Sequence, residues 1–201
     1  MNISEYITHI ESIPYIKDYT FPWEIIENLK DIIIKLQALL PRDQYTVEDS
    51  IAIHNSAEIE DNVTIKPFTI IGKGCTVRAG AYLREGVLLG EDVTIGTNCE
   101  IKQSLICTGS RIAHLNYIGN SIIGEDVNIE AGAIVANHFN EREDKEITVI
   151  INGKFMKTGV TKFGSLIGDK SRIGANAVLN PGTILKQNTI VDRLTHINQG
   201  V

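Results

Sequence analysis

The sequence predicts a mainly β fold: a left-handed parallel β-helix of hexapeptide repeats, with an N-terminal helical extension and a hairpin loop excursion. Three observations carry this. Aliphatic residues recur every six positions, at Ile53, Ile59, Ile65, Ile71, Val77, Leu83, Leu89, Ile95 and Ile101; two five-residue steps then lead through Ile106, Ile112 and Ile118 to Ile123, Ile129 and Val135, and the ladder resumes at Ile167, Ile173, Leu179, Leu185 and Val191. The position four after a rung is usually small or β-branched, as at Ala57, Val63, Cys75, Ala81, Val93, Cys99, Val127 and Ala133. The position directly after a rung is often glycine, as at Gly72, Gly90, Gly96, Gly119, Gly124, Gly168 and Gly174. A helix repeats near 3.6 residues and a simple strand near 2. A period of six fits a short strand plus a turn, with one large and one small side chain pointing inward. Three such units close a triangular coil, and coils stack about 4.8 Å apart, each stabilised by its neighbours. This repeat marks the left-handed form, an exception to the right-handed crossover preference.

The elements follow in order. Residues 1–50 lack the repeat and form the helical extension. Within it, "PWEIIENLKDIIIKLQALLP" (22–41) has a proline at each end and apolar residues at 25, 26, 29, 32, 33, 36, 39 and 40, the pattern of an amphipathic helix. "SEYITHIESIPYI" is expected to hold a shorter helix, and the helices are expected to cap the open end of the solenoid. Residues 51–201 form the β-helix domain, interrupted by an excursion over 138–163. There "KEITVIINGKFMKTG" places Asn152-Gly153 between two β-like runs, a strong hairpin signal, and the arm carries Lys154, Lys157 and Lys162. Cys75 and Cys99 fall at inward small positions and read as structural; Cys107 follows a rung and is placed toward the surface.

Composition narrows the functional classes. Aromatics make up 6% of the chain, so the core is built from Ile, Val and Leu. The net charge is −6 with no basic block, which argues against nucleic acid or an anionic membrane as the main partner. The N-terminus lacks the charged and apolar regions of a signal peptide, and no apolar run is long enough to span a bilayer. Three cysteines without a CxxC pair read as reduced thiols in a cytoplasmic protein. His9, His54, His114, His138 and His196 are too scattered for a three-histidine metal site, and no metal is expected.

The ladder also turns sequence into position. Rungs three units apart share a wall, so Arg84 and Lys102, each following its rung, stack one coil apart. Glu100 and Tyr117 end the preceding wall at the same corner, and Asn137 lies one coil further on. Two outward cations about 4.8 Å apart repel unless an anion sits between them. Either Glu100 neutralises them on a solvated edge, which is worth little, or they clamp a phosphate or carboxylate. His114 starts the wall before that corner, and Asn128 ends another wall. A second subunit would join the two groups, and a threefold homotrimer is expected.

"YLREG", "CEIKQ", "AHLNYIG", "IIGEDVNIEAGAIVAN" and "GKFMKTGVTKFGSLIGDKSRIGANAVLNPGTIL" resemble the acetyltransferase half of the bifunctional N-acetylglucosamine-1-phosphate uridyltransferase / glucosamine-1-phosphate N-acetyltransferase family. The hairpin and "TKFGSLIG" look most like its archaeal sugar-1-phosphate branch. The resemblance covers about residues 50 to 190. It implies transfer of acetyl from acetyl-CoA to an amino-sugar 1-phosphate, with glucosamine-1-phosphate the expected acceptor. It implies that Arg84 and Lys102 bind the phosphate, that His114 is the general base supported by Glu100, and that Tyr117, Asn128 and Asn137 hold the sugar. Lys162 matches an active-site lysine, while Ala131 and Ala175 line the acetyl-CoA path. Three positions depart from the family pattern: Glu130 replaces a small glycine, His138 a tyrosine and Ala175 a serine. The stretch ends at Val201, before the family's last coils and a basic residue that contacts the cofactor. No uridyltransferase motif is present, so that reaction is not expected of these residues, and a separate nucleotidyltransferase is a candidate partner. Two alternatives stand beside this reading: an O-acetyltransferase using His138 on the excursion loop, and a non-catalytic module that binds a sugar phosphate or regulates a nucleotidyltransferase.

Overall fold

The computed structural model describes residues 1–199. Its body is a parallel β-solenoid whose rungs stack in the register the ladder requires. On the first wall Ile53, Ile71, Leu89, Ile106, Ile123, Ile167 and Leu185 are successive partners. The second wall aligns Ile59, Val77, Ile95, Ile112, Ile129, Ile173 and Val191. The third aligns Ile65, Leu83, Ile101, Ile118, Val135, Leu179 and Ile197. These rungs, with Cys75, Ala81, Val93, Cys99, Val127, Ala133 and Ala177 between them, form one apolar column inside the prism. Burial pushes the Cys75 thiol up to about 11, so it is a packing group at neutral pH.

Corners are turned by residues in the left-handed region. One column of them runs through Ser50, Phe68, Glu85, Gln103 and Asn120, between the third and first walls. Another runs through Asn62, Gly80, Asn98, Leu115, Gly132, Asn176 and Leu194, between the second and third. Asparagine and glycine suit this conformation; leucine rarely adopts it. The strand Tyr82–Leu89 continues through a corner into the next wall, and its pairing with Glu100–Ile106 slips between Arg84 and Val87. That bulge absorbs the difference between a long turn (Arg84-Glu85-Gly86) and a short one (Lys102-Gln103). The five-residue step from Ile101 to Ile106 is its trace in the sequence.

The N-terminal extension departs from expectation in two ways. The segment 22–41 is not one helix but two: α1, Pro22–Glu27, and α2, Leu29–Gln37. The break falls at Asn28, whose side-chain amide donates to the Glu24 carbonyl at 2.9 Å, the competition with backbone bonding that makes asparagine a weak helix interior. "SEYITHIESIPYI" forms three short 3-10 turns, Ile3–Glu5, Ile10–Ser12 and Ile16–Asp18. The helices also do not cap the open end, where Ile53, Ile59 and Ile65 stay only partly buried. They lie along the first wall. Its outward residues Ala52, Ile70, Leu88, Leu105, Ile122, Leu166 and Ile184 are apolar on every coil and share a second core with Ile7, Trp23, Ile25, Ile26, Leu29, Ile32 and Ile33. Cys107 belongs to this second core and is buried, contrary to its expected surface position; desolvation drives its thiol pKa upward. An extension covering an apolar wall removes far more surface from water than one covering a single end coil.

The excursion forms the expected hairpin, Thr148–Ile151 against Lys154–Lys157, with Asn152 and Gly153 both at positive φ. Its base joins the second core through Ile147, Val149 and Phe163, and Phe163 meets the edge of Trp23 at 5.9 Å between centroids.

Candidate active site

Polar residues concentrate at the corner between the third and first walls. Arg84 and Lys102 are direct partners on adjacent coils, as the ladder predicts. Neither is a free cation. Arg84 donates through Nε to Glu100 at 2.7 Å and also pairs with Glu85, while Lys102, buried at 7% exposure, has its Nζ 3.4 Å from the Glu85 carboxylate. Sequence reasoning missed Glu85. Its signal was the extra residue in "YLREG" relative to "IKQS", which puts Glu85 in the bulge, beside both cations.

Tyr117 is the partner of Glu100 and Ile134, half-buried, with its ring lying across Gly119. A Cβ at Gly119 would come within 2.7 Å of the Tyr117 hydroxyl and 2.9 Å of Asn137 Cγ, so this glycine makes room for both side chains. Burial, then the Glu100 charge, raises the Tyr117 pKa, keeping the phenol a hydrogen-bond donor. Asn137 is buried. Its amide donates to Asn120 at 2.5 Å and Asn120 donates to Gln103 at 3.0 Å, a stacked ladder of amides along the corner. The Asn137 carbonyl oxygen also lies 3.2 Å from His138 Nδ1. The Phe163 amide donates to the Asn137 backbone at 3.0 Å, which seats exposed Lys162 beside them. Arg84, Glu100, Lys102, Tyr117, Asn137 and Lys162 therefore gather at one edge, joined by His138.

His114 is not among them. It is exposed, on the turn between the second and third walls, and its backbone accepts from Gly132 at 2.9 Å. No hydrogen bond joins its imidazole to Glu100 among the described residues; the Glu100 carboxylate is engaged by Arg84. The support expected of Glu100 for His114 therefore does not form within one chain. Ala131 and Ala175 stack above His114 on the same edge, with Ala131 accepting from Asn176 and Ala175 from Leu194. Leu115 and Leu194, 62% and 79% exposed, also lie there. Asn128 sits apart, exposed on the second wall between Arg111 and Arg172.

Beside Asn128 runs a shallow groove of about 200 Å³ lined by Glu130, Arg172, Ile190 and Arg193. Glu130 accepts from the Ala175 amide at 2.9 Å and from both prongs of Arg193 at 2.8 and 2.7 Å. The Arg193 guanidinium holds its carboxyl below the usual carboxylate range. Arg172 has no ion-pair partner among the described residues. No set of three or more His, Cys, Asp and Glu side chains is placed to hold a metal among these residues, and no helix there is long and apolar enough to cross a membrane.

Two family models and several curated proteins match this chain. Residues 47–152 match the GMPPB C-terminal domain model, and residues 166–192 match the hexapeptide repeat of succinyl-transferase. A bifunctional sugar-1-phosphate nucleotidylyltransferase/acetyltransferase of Sulfurisphaera tokodaii is 37% identical over 180 residues, covering 86% of this chain and 44% of that protein. A bifunctional protein GlmU of Methanococcus maripaludis is 34% identical over 183 residues, covering 88% and 43%. The chain thus spans under half the length of these curated relatives. Among solved structures, a putative acetyltransferase of Bacillus cereus matches with 17% identity and a TM-score of 0.34, over 74% of this chain and 73% of that one.

Proposed function

The chain belongs to the GMPPB C-terminal domain family of hexapeptide-repeat proteins, and from that premise we propose that it acetylates the amino group of a hexosamine 1-phosphate, glucosamine-1-phosphate foremost, with acetyl-CoA as donor. The observation that carries this is the pairing of Arg84 with Lys102 one coil apart, flanked by Tyr117, Asn137 and Lys162. Two cations supply a phosphate clamp, the arginine as a bidentate fork and the lysine as a point charge. Tyr117 and Asn137 supply donors and acceptors for sugar hydroxyls.

The donor contributes a thioester carbonyl. Along its path the groove offers Arg172 as a cation for a phosphate group and Ile190 as an apolar contact. Glu130 fits this arrangement because its carboxylate is turned onto Arg193 and the Ala175 amide. His114 is the base: its imidazole takes the proton the amine gives up as its nitrogen bonds to the acyl carbon. The C–S bond breaks, and the leaving thiolate takes up the proton that His114 received from the amine. Holding amine and thioester in attack geometry supplies much of the rate, so no covalent enzyme intermediate is required.

His114 and the phosphate clamp lie at opposite edges of the third wall. A homotrimer brings one subunit's His114 to its neighbour's clamp and makes three equal sites. The unpaired thiols suit a reducing, cytoplasmic setting. One observation favours a second reading: His138 already touches Asn137 on the clamp's own edge, which would let it serve as base without a partner subunit. Calorimetry with glucosamine-1-phosphate and with acetyl-CoA, each alone, tests the proposal. Binding of both supports it; binding of the sugar phosphate alone favours a non-catalytic module; binding of neither overturns it.

A further inference from the structure

The place between Arg84 and Lys102 is taken by a carboxylate of the same chain. Glu85 sits in the bulge at φ 61, followed by Gly86 at φ 104. Its counterparts on the neighbouring coils, Phe68 and Gln103, carry no charge. One Glu85 oxygen meets Arg84 and the other lies 3.4 Å from Lys102 Nζ. For Lys102, Glu85 is the single carboxylate partner among the described residues. Burial works to raise the Glu85 pKa, but Lys102 and Arg84 outweigh it and hold the group ionised. Beside this trio opens a cleft of about 500 Å³ lined by Lys30, Lys66, Phe68, Tyr82 and Arg84. Lys30 comes from α2, which packs directly on the bulge: a Cβ at Gly86 would lie 3.1 Å from Lys30 Cγ. Neither Lys30 nor Lys66 pairs with a carboxylate among the described residues. The anion seat is filled, while two further lysines without a carboxylate partner among the described residues line the same cleft, Lys30 with its Nζ 5.8 Å from the centre of the Phe68 ring.

We propose that Glu85 is the specificity-determining residue of this anion seat: it neutralises Arg84 and Lys102 until a phosphate enters, then swings to Lys30 and Lys66. This rests on the reading above, that the edge receives a substrate phosphate. Exchange of one monoanion for another gains no Coulomb energy at the two cations, whereas a dianion brings a second charge to the same spot. The exchange therefore favours phosphate monoesters over carboxylates and other monoanions. It also gives the extension a role at the site, since Lys30 stabilises the displaced carboxylate.

Calorimetry of the full chain at pH 8 tests this with three probes: glucosamine-1-phosphate, inorganic phosphate, and methyl sulfate as a monoanion of similar shape. Glu85→Gln, which keeps shape and removes charge, should bind both phosphates about three- to tenfold more tightly, the scale of a partly buried ion pair, and should gain binding of methyl sulfate. Glu85→Ala should behave alike, which excludes an effect of the introduced amide. Lys30→Ala should weaken phosphate binding severalfold in the parent chain and leave it unchanged in the Glu85→Gln background. Equal or weaker phosphate binding by both folded Glu85 variants would overturn the proposal, as would no binding of any probe. Tighter inorganic phosphate binding without any glucosamine-1-phosphate binding would keep the anion seat and sink the substrate reading.

Discussion

Three polar residues interrupt the aliphatic ladder between Arg111 and Ile118, and each does so differently. Asn116 takes an inward small position and is buried, yet its side-chain oxygen accepts the Ala133 amide at 2.7 Å, so the core keeps its hydrogen bonds. Tyr117 lies outward over Gly119, and His114 stands on the exposed turn. The six-residue period made their coil positions readable, because register follows from counting. It did not reveal which cation meets which carboxylate: Glu85 follows Arg84 in the chain and Glu100 lies one coil on, and the bulge that aims Glu85 left only one extra residue as its trace. His9 shows the same limit. Its Nδ1 lies 2.9 Å from the Glu125 carboxylate, a tie between the first 3-10 turns and the solenoid that no spacing suggests. The hydrogen bond and charge of Glu125 raise the His9 pKa above its ordinary 6.5, with a smaller push from Asp169. A group whose folded pKa is raised stabilises fully below its unfolded value and loses that contribution as pH rises through the folded value. Hydrogen exchange over residues 1–18, corrected for intrinsic rates, should therefore quicken from pH 6 to pH 8. Glu125→Gln should flatten that response; the same response in both chains would show that the tie does not act.

At the level of elements, the prism itself was fully legible and its covering was not. The second apolar ladder, one residue before every first-wall rung, is present in the sequence as Ile70, Leu88, Leu105, Ile122, Leu166 and Ile184. The second wall carries Thr76, Thr94, Arg111, Asn128 and Arg172 at the equivalent positions. This contrast names the wall that the helices cover, and a search for one inward residue per unit passes over it. The broken helix at Asn28 was hidden because its apolar spacing continues across the break. Leu105 is 1% exposed beneath the helices, so Leu105→Ala should destabilise the protein by about 2–5 kcal/mol, the range for emptying a packed core position. Thr94→Ala, the corresponding change on the second wall, should stay within about 0.5 kcal/mol. Urea titration of both variants measures this; equal, small shifts would mean that the extension packs on the wall only loosely.

For the whole molecule, the arrangement of the two site groups sets the problem. The strand Tyr117–Gly119 that separates them spans about 10 Å at about 3.3 Å per residue, and they face different edges of the prism. One chain cannot close a hydrogen bond between His114 and the clamp. In the proposed trimer, each site would take His114 from one subunit and Arg84 with Lys102 from its neighbour. Inactive His114→Ala and Arg84→Ala chains, unfolded together and refolded as a mixture, should then regain part of the activity, because some mixed trimers contain an intact site. Mixed trimers that form and remain inactive would place the whole site in one chain, with His138 as base. The central claim, acetyl transfer with His114 as general base, meets its most direct test in turnover of acetyl-CoA with glucosamine-1-phosphate by the parent chain, His114→Ala and His138→Ala. The account predicts a rate lowered by about 10²–10⁴ in His114→Ala, the usual worth of a general base, with melting temperature unchanged and His138→Ala nearly as active as the parent. An inactive His138→Ala beside an active His114→Ala, or a parent chain inert with every amino-sugar phosphate offered, would contradict it.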